Sequence, residues 1–377
     1  MQPLENLLVL DFTTLLPGPL ATLMLAEAGA EVIKVERPGT GDEMRQYPPF
    51  HQGMSLPFAL LNRGKKSLCL DLKNPLDKQR LLKLVRQADV LVEQFRPGVM
   101  ARLELDYSTL SRINPRLVYC SLTGYGQQGE KAGMAGHDLN YLASTGMLSL
   151  ATDEQGRPVI PPALIADIAG GSYPAVINIL MALRQRDLTG KGTWLDIAMS
   201  DNLFPMMALP LATQLAGQGP PRPGGELLTG GSPRYQVYAT ADKRYLAAAP
   251  LEQRFWEAFC EAIELPEALR DDQKEPAATL AAVTRIIRQH PAAYWTALFS
   301  GKDTCTNLVN TLEEALASPH FKARNLFSGH LTAGQATVSS LPVPVDRAFR
   351  SSAGEAVTTS LNGAPELGAH NALFDDI

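Results

Sequence analysis

Five short apolar runs in the first third of this 377-residue chain, each separated from the next by a helix-like stretch, constrain its fold more than any other feature. LLVLDF (Leu7–Phe12) has the length of a buried strand. Thr13 or Thr14 can cap the helix that follows, Pro17 and Pro19 suit its first turn, and it ends near Gly29. EVIKVE (Glu31–Glu36) is a second strand, which completes a compact βαβ unit. SLCLDL (Ser67–Leu72) is a third, after which Asn74 caps a helix with Pro75 at its first position. DVLVEQF (Asp89–Phe95) and LVYCSLTG (Leu117–Gly124) are the fourth and fifth. Strands alternating with helices predict an α/β fold: a parallel sheet covered on both faces.

Further along, a long helix is predicted from Asp167 toward Arg186, ended by TGKG, then a strand at TWLDIAM and a helix near Asp201–Ala216. In the stretch Gly217–Pro233, ten of seventeen residues are Gly or Pro, the composition of a linker or mobile loop. The texture then changes to a hairpin around Ala241–Lys243 and helices at Gln253–Ile263, Pro276–Gln289 and Pro291–Phe299. These shifts divide the chain into a large domain over 1–219, a smaller one over 220–327, and a C-terminal segment, 328–377, that returns to the large domain.

The net charge of −5 gives no reason to expect a nucleic-acid partner. The four cysteines are far apart and form no CxxC pair, so they read as reduced thiols of a cytoplasmic protein. The N-terminus shows no signal-peptide pattern, and apolar stretches such as YPAVINILMAL are short and broken by proline or charge, so no membrane association is expected. The first strand is followed by TTLLPGPLA rather than GxGxxG, no GxSxG elbow occurs, and no HExxH or His/Cys cluster suggests a metal. Arg37, Lys73 and Arg96 fall just after predicted strands, and positions after parallel strands converge on one crevice. Each alone reads as solvated surface charge; as a set they could equally hold a phosphorylated ligand.

The segments LPGPLATLMLAEAGAEVIKVERPGTGD, NRGKKSLCLDLKN, FRPGVMARL, GYGQQGE, GHDLNYLASTG, LIADIAGG, TGKGTWLDIAM and YATADKRYLAAAPLEQRFWEAFC occur in this order. The chain thereby resembles, over essentially its whole length, the CaiB/BaiF family of class III CoA transferases, with its α-methylacyl-CoA racemase branch. The resemblance implies a Rossmann-like large domain, a smaller α+β domain, an interlocked homodimer and an acyl-CoA thioester substrate, with no cofactor beyond the CoA moiety. It implies CoA contacts at Arg37, Asp71, Leu72, Lys73, Phe95, Arg96, Arg102, Gly136, Asp138 and Tyr141. Transferases of the family use an aspartate nucleophile, at the position of Asp167 in IADIAGG. Racemases use that aspartate as a base together with a histidine, matched by His137 in GHDLNY, and a nearby glutamate, matched by Glu252 in LEQRF. There the proline of the racemases' EPQF-like segment is replaced by Gln253. Two bases at His137 and Asp167 point to epimerisation beside a thioester; Asp167 as nucleophile, to CoA transfer.

Racemisation takes a proton from one face of the α-carbon and returns one to the other, which needs two groups titrating near the working pH. Histidine does so unperturbed, whereas aspartate needs desolvation. As the first residue of a helix, Asp167 would have its pKa lowered by the dipole, which favours a nucleophile. The N–H groups of that terminus could hold an enolate oxygen, and the AGG that follows would admit a ligand closely.

Overall fold

A computed structural model describes residues 2–153, 155–333, 336–350 and 363–374. Part of the 328–377 segment therefore lies outside the described residues. The apolar runs form six strands: β1 Leu8–Phe12, β2 Glu31–Glu36, β3 Lys66–Cys69, β4 Val90–Glu93, β5 Val118–Thr123 and β6 Trp194–Ala198. They build one sheet in the order β3-β2-β1-β4-β5-β6, every pair parallel. This is the strand order of Rossmann sheets, in which the order reverses between β1 and β4 and opens a crevice beyond their carboxyl ends.

Helix α1 (Pro17–Glu27) is apolar and buried all round, because it lies beneath α2 (Leu56–Asn62) and the later helices. Leu20, Leu23 and Met24 of α1 pack with Phe58 and Leu61 of α2 and with Val343. On the other face, Leu81, Leu84 and Val85 of α3 (Pro75–Val85) close over Leu10, Ile33, Leu68 and Leu91. Asn74 caps α3 as expected, its side chain accepting from Leu76 N at 2.9 Å.

The entry to α1 differs from expectation. Its N-cap is Leu16, with no side-chain cap, and Thr13 is instead bound to Asp11. Two buried ion pairs account for this. Lys34 Nζ lies 2.8 Å from Asp42 Oδ2 and donates to Thr13 O at 2.6 Å. Lys65 Nζ lies 3.0 Å from Asp11 Oδ2 and also donates to Pro19 O, Thr22 Oγ1 and Asn62 Oδ1. Burial alone would raise the Asp11 carboxyl; Lys65 and Lys34 outweigh it and hold the group below the usual carboxylate range. Asp42 Oδ1 also accepts from Leu15 N at 3.0 Å, which holds Leu15 in a left-handed conformation at φ 63°. The β1–α1 loop is thus fixed from beneath by charge.

The helix expected from Asp167 begins instead with a π-helical turn, Ala166–Ser172, and continues as α5 (Tyr173–Thr189), after α4 (Asp138–Ser144). Gly190 ends α5 in a left-handed conformation, φ 74°. The expectation that the apolar stretch here is too short to span a bilayer does not hold by length: Ala166–Thr189 is a continuous 24-residue helical run. It packs on α1 and β5, and other residues along it, Ile177, Met181 and Leu188 among them, are exposed.

The chain divides into two units. The first holds Met1–Thr145, Ile160–Met206 and Asn325–Ile377; the second holds Gly146–Val159 and Met207–Arg324. Unlike the division read from the sequence, Gly146–Val159 goes with the second unit. That unit carries an antiparallel sheet of β7 (Gln236–Ala239), β8 (Tyr245–Ala248) and β9 (Thr306–Leu308), in the order β9-β8-β7. Helices α6 (Gln253–Ala262), α7 (Pro276–Ile287) and α8 (Ala292–Phe299) cover it through Trp256, Phe259, Val283, Trp295 and Phe299.

Candidate active site

The GHD segment lies at the start of α4. His137 is the N-cap residue, with extended backbone and an exposed side chain, and its N–H donates to Asn140 Oδ1 at 3.0 Å. Tyr141, one turn on, explains two glycines of this region, Gly124 and Gly136. Its ring fills the space where a Cβ on Gly124 would lie 2.3 Å away and one on Gly136 2.8 Å away, and its hydroxyl donates to Gly136 O at 2.5 Å. Burial first, and then Asp167, push the Tyr141 phenol up to about 12.

Asp138 is buried, and its Oδ1 accepts the backbone N–H of Asp167 at 3.0 Å. One carboxylate therefore ties the segment carrying His137 to the π-helical turn carrying Asp167. Single π turns inside helices are rare and frequently fall at functional sites. Ser172 anchors this one, donating to Pro17 O at 2.7 Å, and Asn202 Nδ2 donates to Gly170 O at 2.9 Å.

Three expectations for this turn are corrected. Asp167 is not lowered by a helix dipole: burial, then the neighbouring Asp138, raise its carboxyl to about 7. The N–H groups of Asp167 and Ile168 are not open to an enolate oxygen, because they bind Asp138 Oδ1 and Leu164 O. The glycines of AGG admit protein rather than ligand. A Cβ on Gly170 would lie 2.5 Å from Met199 O, and one on Gly171 3.0 Å from Met199 Cγ.

The predicted phosphate-binding cations follow strand ends on the carboxyl edge of the sheet: Arg37 directly after β2, Lys73 after β3 and Arg96 after β4. All three are exposed, as is Arg102 at the end of a short helix, Val99–Arg102. Arg37 Nε donates to Thr40 Oγ1 at 2.9 Å. Asp71 Oδ1 accepts from Lys73 N at 3.0 Å, turning the chain between them, while Leu72 and Phe95 rest against the core.

Glu252 belongs to the second unit, where it is exposed as the N-cap residue of α6. Arg234, which the sequence did not single out, brackets it. Its guanidinium donates to Leu251 O at 3.1 Å and Gln253 Oε1 at 2.9 Å, and pairs with Asp272 at 2.6 Å. Gln253 is thus held by a side-chain bond next to Glu252. Sequence reasoning also missed Glu93, buried at the end of β4. Its only signal was a charged residue inside an apolar strand run. No group of three or more His, Cys, Asp or Glu suited to a metal occurs among the described residues.

The model of CoA-transferase family III matches residues 4–371. The chain belongs to that family. It is 36% identical over 348 residues to the α-methylacyl-CoA racemase of Homo sapiens, covering 91% of this chain and 86% of that protein. It is 34% identical over 334 residues to the acetyl-CoA:oxalate CoA-transferase of Acetobacter aceti, covering 86% of this family member and 85% of that one. Among solved structures, a CaiB/BaiF family protein from Brucella suis superposes with a TM-score of 0.82 at 28% identity, covering 100% of this chain and 99% of the other. The protein is thus a CoA-transferase family III enzyme with racemases and transferases at similar distance.

Proposed function

We propose that this enzyme epimerises the α-carbon of a 2-methylacyl-CoA thioester by 1,1-proton transfer, with His137 and Asp167 as the two bases. The observation that carries this reading is the Asp167 carboxyl, raised to about 7 by burial and by Asp138. A group that is half protonated near neutral pH can both take and return a proton, whereas a nucleophile must stay ionised. One base removes the α-proton while the other, already protonated, delivers to the opposite face; the enolate between them is planar, so configuration is lost. Asp138 holds the two segments together, and Arg37, Lys73 and Arg96 hold the phosphates of CoA. The decisive experiment is incubation of 2-methylacyl-CoA thioesters with enzyme in D2O: α-deuterium incorporation supports the reading, and its absence with every such thioester removes it.

A second reading, CoA transfer with Asp167 as nucleophile, draws on the transferase relatives at 33–34% identity. It requires attack of the carboxylate on the thioester carbonyl, expelling CoA thiolate to give an aspartyl anhydride; the thiolate then attacks the aspartyl carbonyl, releasing the acyl carboxylate and leaving an aspartyl-CoA thioester. Mass spectrometry of enzyme quenched with a donor acyl-CoA and an acceptor acid distinguishes it.

The assembly proposed is a homodimer. Tyr173, Ile177, Leu180, Met181 and Leu188 recur at helical spacing on α5 and are exposed, Leu188 at 71%. A stripe of this kind on a soluble protein marks an interface.

A further inference from the structure

Glu93 ends β4 where the strand order reverses, and neither proposed chemistry uses it. It is 3% exposed. Its Oε2 accepts the backbone N–H of Phe95 at 2.8 Å, closing a turn over Gln94. Gln94 Oε1 accepts from Gly18 N at 3.2 Å, in the first turn of α1. Ser121, the register partner of Glu93 on β5, bonds the same carboxyl and accepts from Trp194 Nε1 at 3.0 Å. Phe95 rests on the core and Arg96 emerges exposed beside it. The segment that presents Arg96 at the crevice is therefore held from beneath by one buried acid.

We infer that Glu93 is a positioning residue for CoA binding, fixing the Phe95–Arg96 turn through the bond to Phe95 N. The inference rests on the reading of Phe95 and Arg96 as CoA contacts. The groups around the carboxyl are Tyr119, Cys120 and Ser121 of β5 and Asp196 of β6; on the β1 side stand Phe12 and Asp11, the latter paired with Lys65. Burial, with Asp196 adding to it, pushes Glu93 up to about 7. It is therefore mostly ionised at pH 8 and mostly protonated at pH 6. The bond from Phe95 is charge-assisted only in the first state.

The test is calorimetric titration of free CoA into wild type, Glu93→Gln, Glu93→Asp, Arg96→Ala and the double variant Glu93→Gln/Arg96→Ala, at pH 6 and 8. At pH 8, Glu93→Gln should weaken CoA about five- to tenfold, the scale of exchanging one charge-assisted bond for a neutral one, and Glu93→Asp, whose shorter side chain does not reach Phe95 N, at least as much. At pH 6 the Gln effect should fall below about twofold, since both side chains are then neutral. The double variant should bind no more weakly than Arg96→Ala, and kcat at saturating ester should not change in Glu93→Gln. Wild-type affinity of Glu93→Gln at pH 8, or additive losses in the double variant, would overturn the inference. Unchanged affinity in Arg96→Ala would overturn the CoA-site reading itself. Removing a buried charge should leave the unfolding midpoint of Glu93→Gln at pH 8 at or above wild type, so lost affinity is not lost folding.

Discussion

The backbone N–H of Asp167 donates to Oδ1 of Asp138 at 3.0 Å, so the residue next to one proposed base is bonded to the other. The same carboxylate that fixes this geometry also raises the Asp167 pKa, second only to burial. Asp138→Asn keeps an acceptor oxygen and removes the charge. The Asp167 carboxyl should then ionise at lower pH, and the acid limb of the pH profile of α-proton exchange should move down. Because burial persists, the limb should stay above the ordinary aspartate range.

His137→Ala and Asp167→Asn should each slow α-deuterium incorporation by about 10²–10⁴, the usual worth of a positioned acid or base. His137→Ala should unfold near the wild-type midpoint, since His137 is exposed, and Asp167→Asn above it at pH 8, since Asp167 makes no side-chain ion pair among the described residues and its buried charge is removed. Exchange at the wild-type rate in folded His137→Ala would rule out the two-base scheme.

Stability should depend on pH in a defined direction. Asp167 and Glu93 have folded pKa values of about 7, above their ordinary values. Each holds a proton in the folded chain that the unfolded chain has released, so stability falls as pH rises from the ordinary carboxylate range through about 7. Each pKa unit corresponds to about 1.4 kcal/mol. Asp167→Asn and Glu93→Gln should therefore each be more stable than wild type at pH 8, with the gain vanishing near pH 4. Denaturant midpoints across this range measure it.

Lys34→Met should destabilise the fold by about 3–5 kcal/mol, because it leaves Asp42 buried without its cation. Adding Asp42→Leu should recover only part of this, since Asp42 Oδ1 also accepts from Leu15 N and Met44 N. Full recovery in the urea midpoint of the double variant would mean that these backbone bonds contribute little.

Co-refolding inactive His137→Ala chains with inactive Glu252→Ala chains should restore partial activity if one dimer site draws on both chains. Sedimentation of an active monomer would remove the dimer. Failed complementation with a dimer intact would remove only the sharing of Glu252.

The parallel sheet was legible because buried strands need continuous apolar runs, and the cap of α3 because Asn74-Pro75 is a local signal. The GHD and IAD segments were legible through resemblance. What escaped was whatever depends on partners distant in sequence. Thr13 looks like a helix cap until Asp11 and Lys34 are seen to hold it. Asp167 looks dipole-stabilised until burial and Asp138 reverse the direction. Arg234 has no local pattern at all, because its targets lie at Leu251, Gln253 and Asp272.

Gly170 has a consequence of its own. The turn bearing Asp167 stands so close to Met199 O that one methyl group at Gly170 would fall 2.5 Å from it. The location of the Asp167 carboxyl is thus governed by a missing atom three residues downstream. Even alanine there would force the turn or the Met199 backbone to shift, so the place of the acid is set by a residue that never touches it.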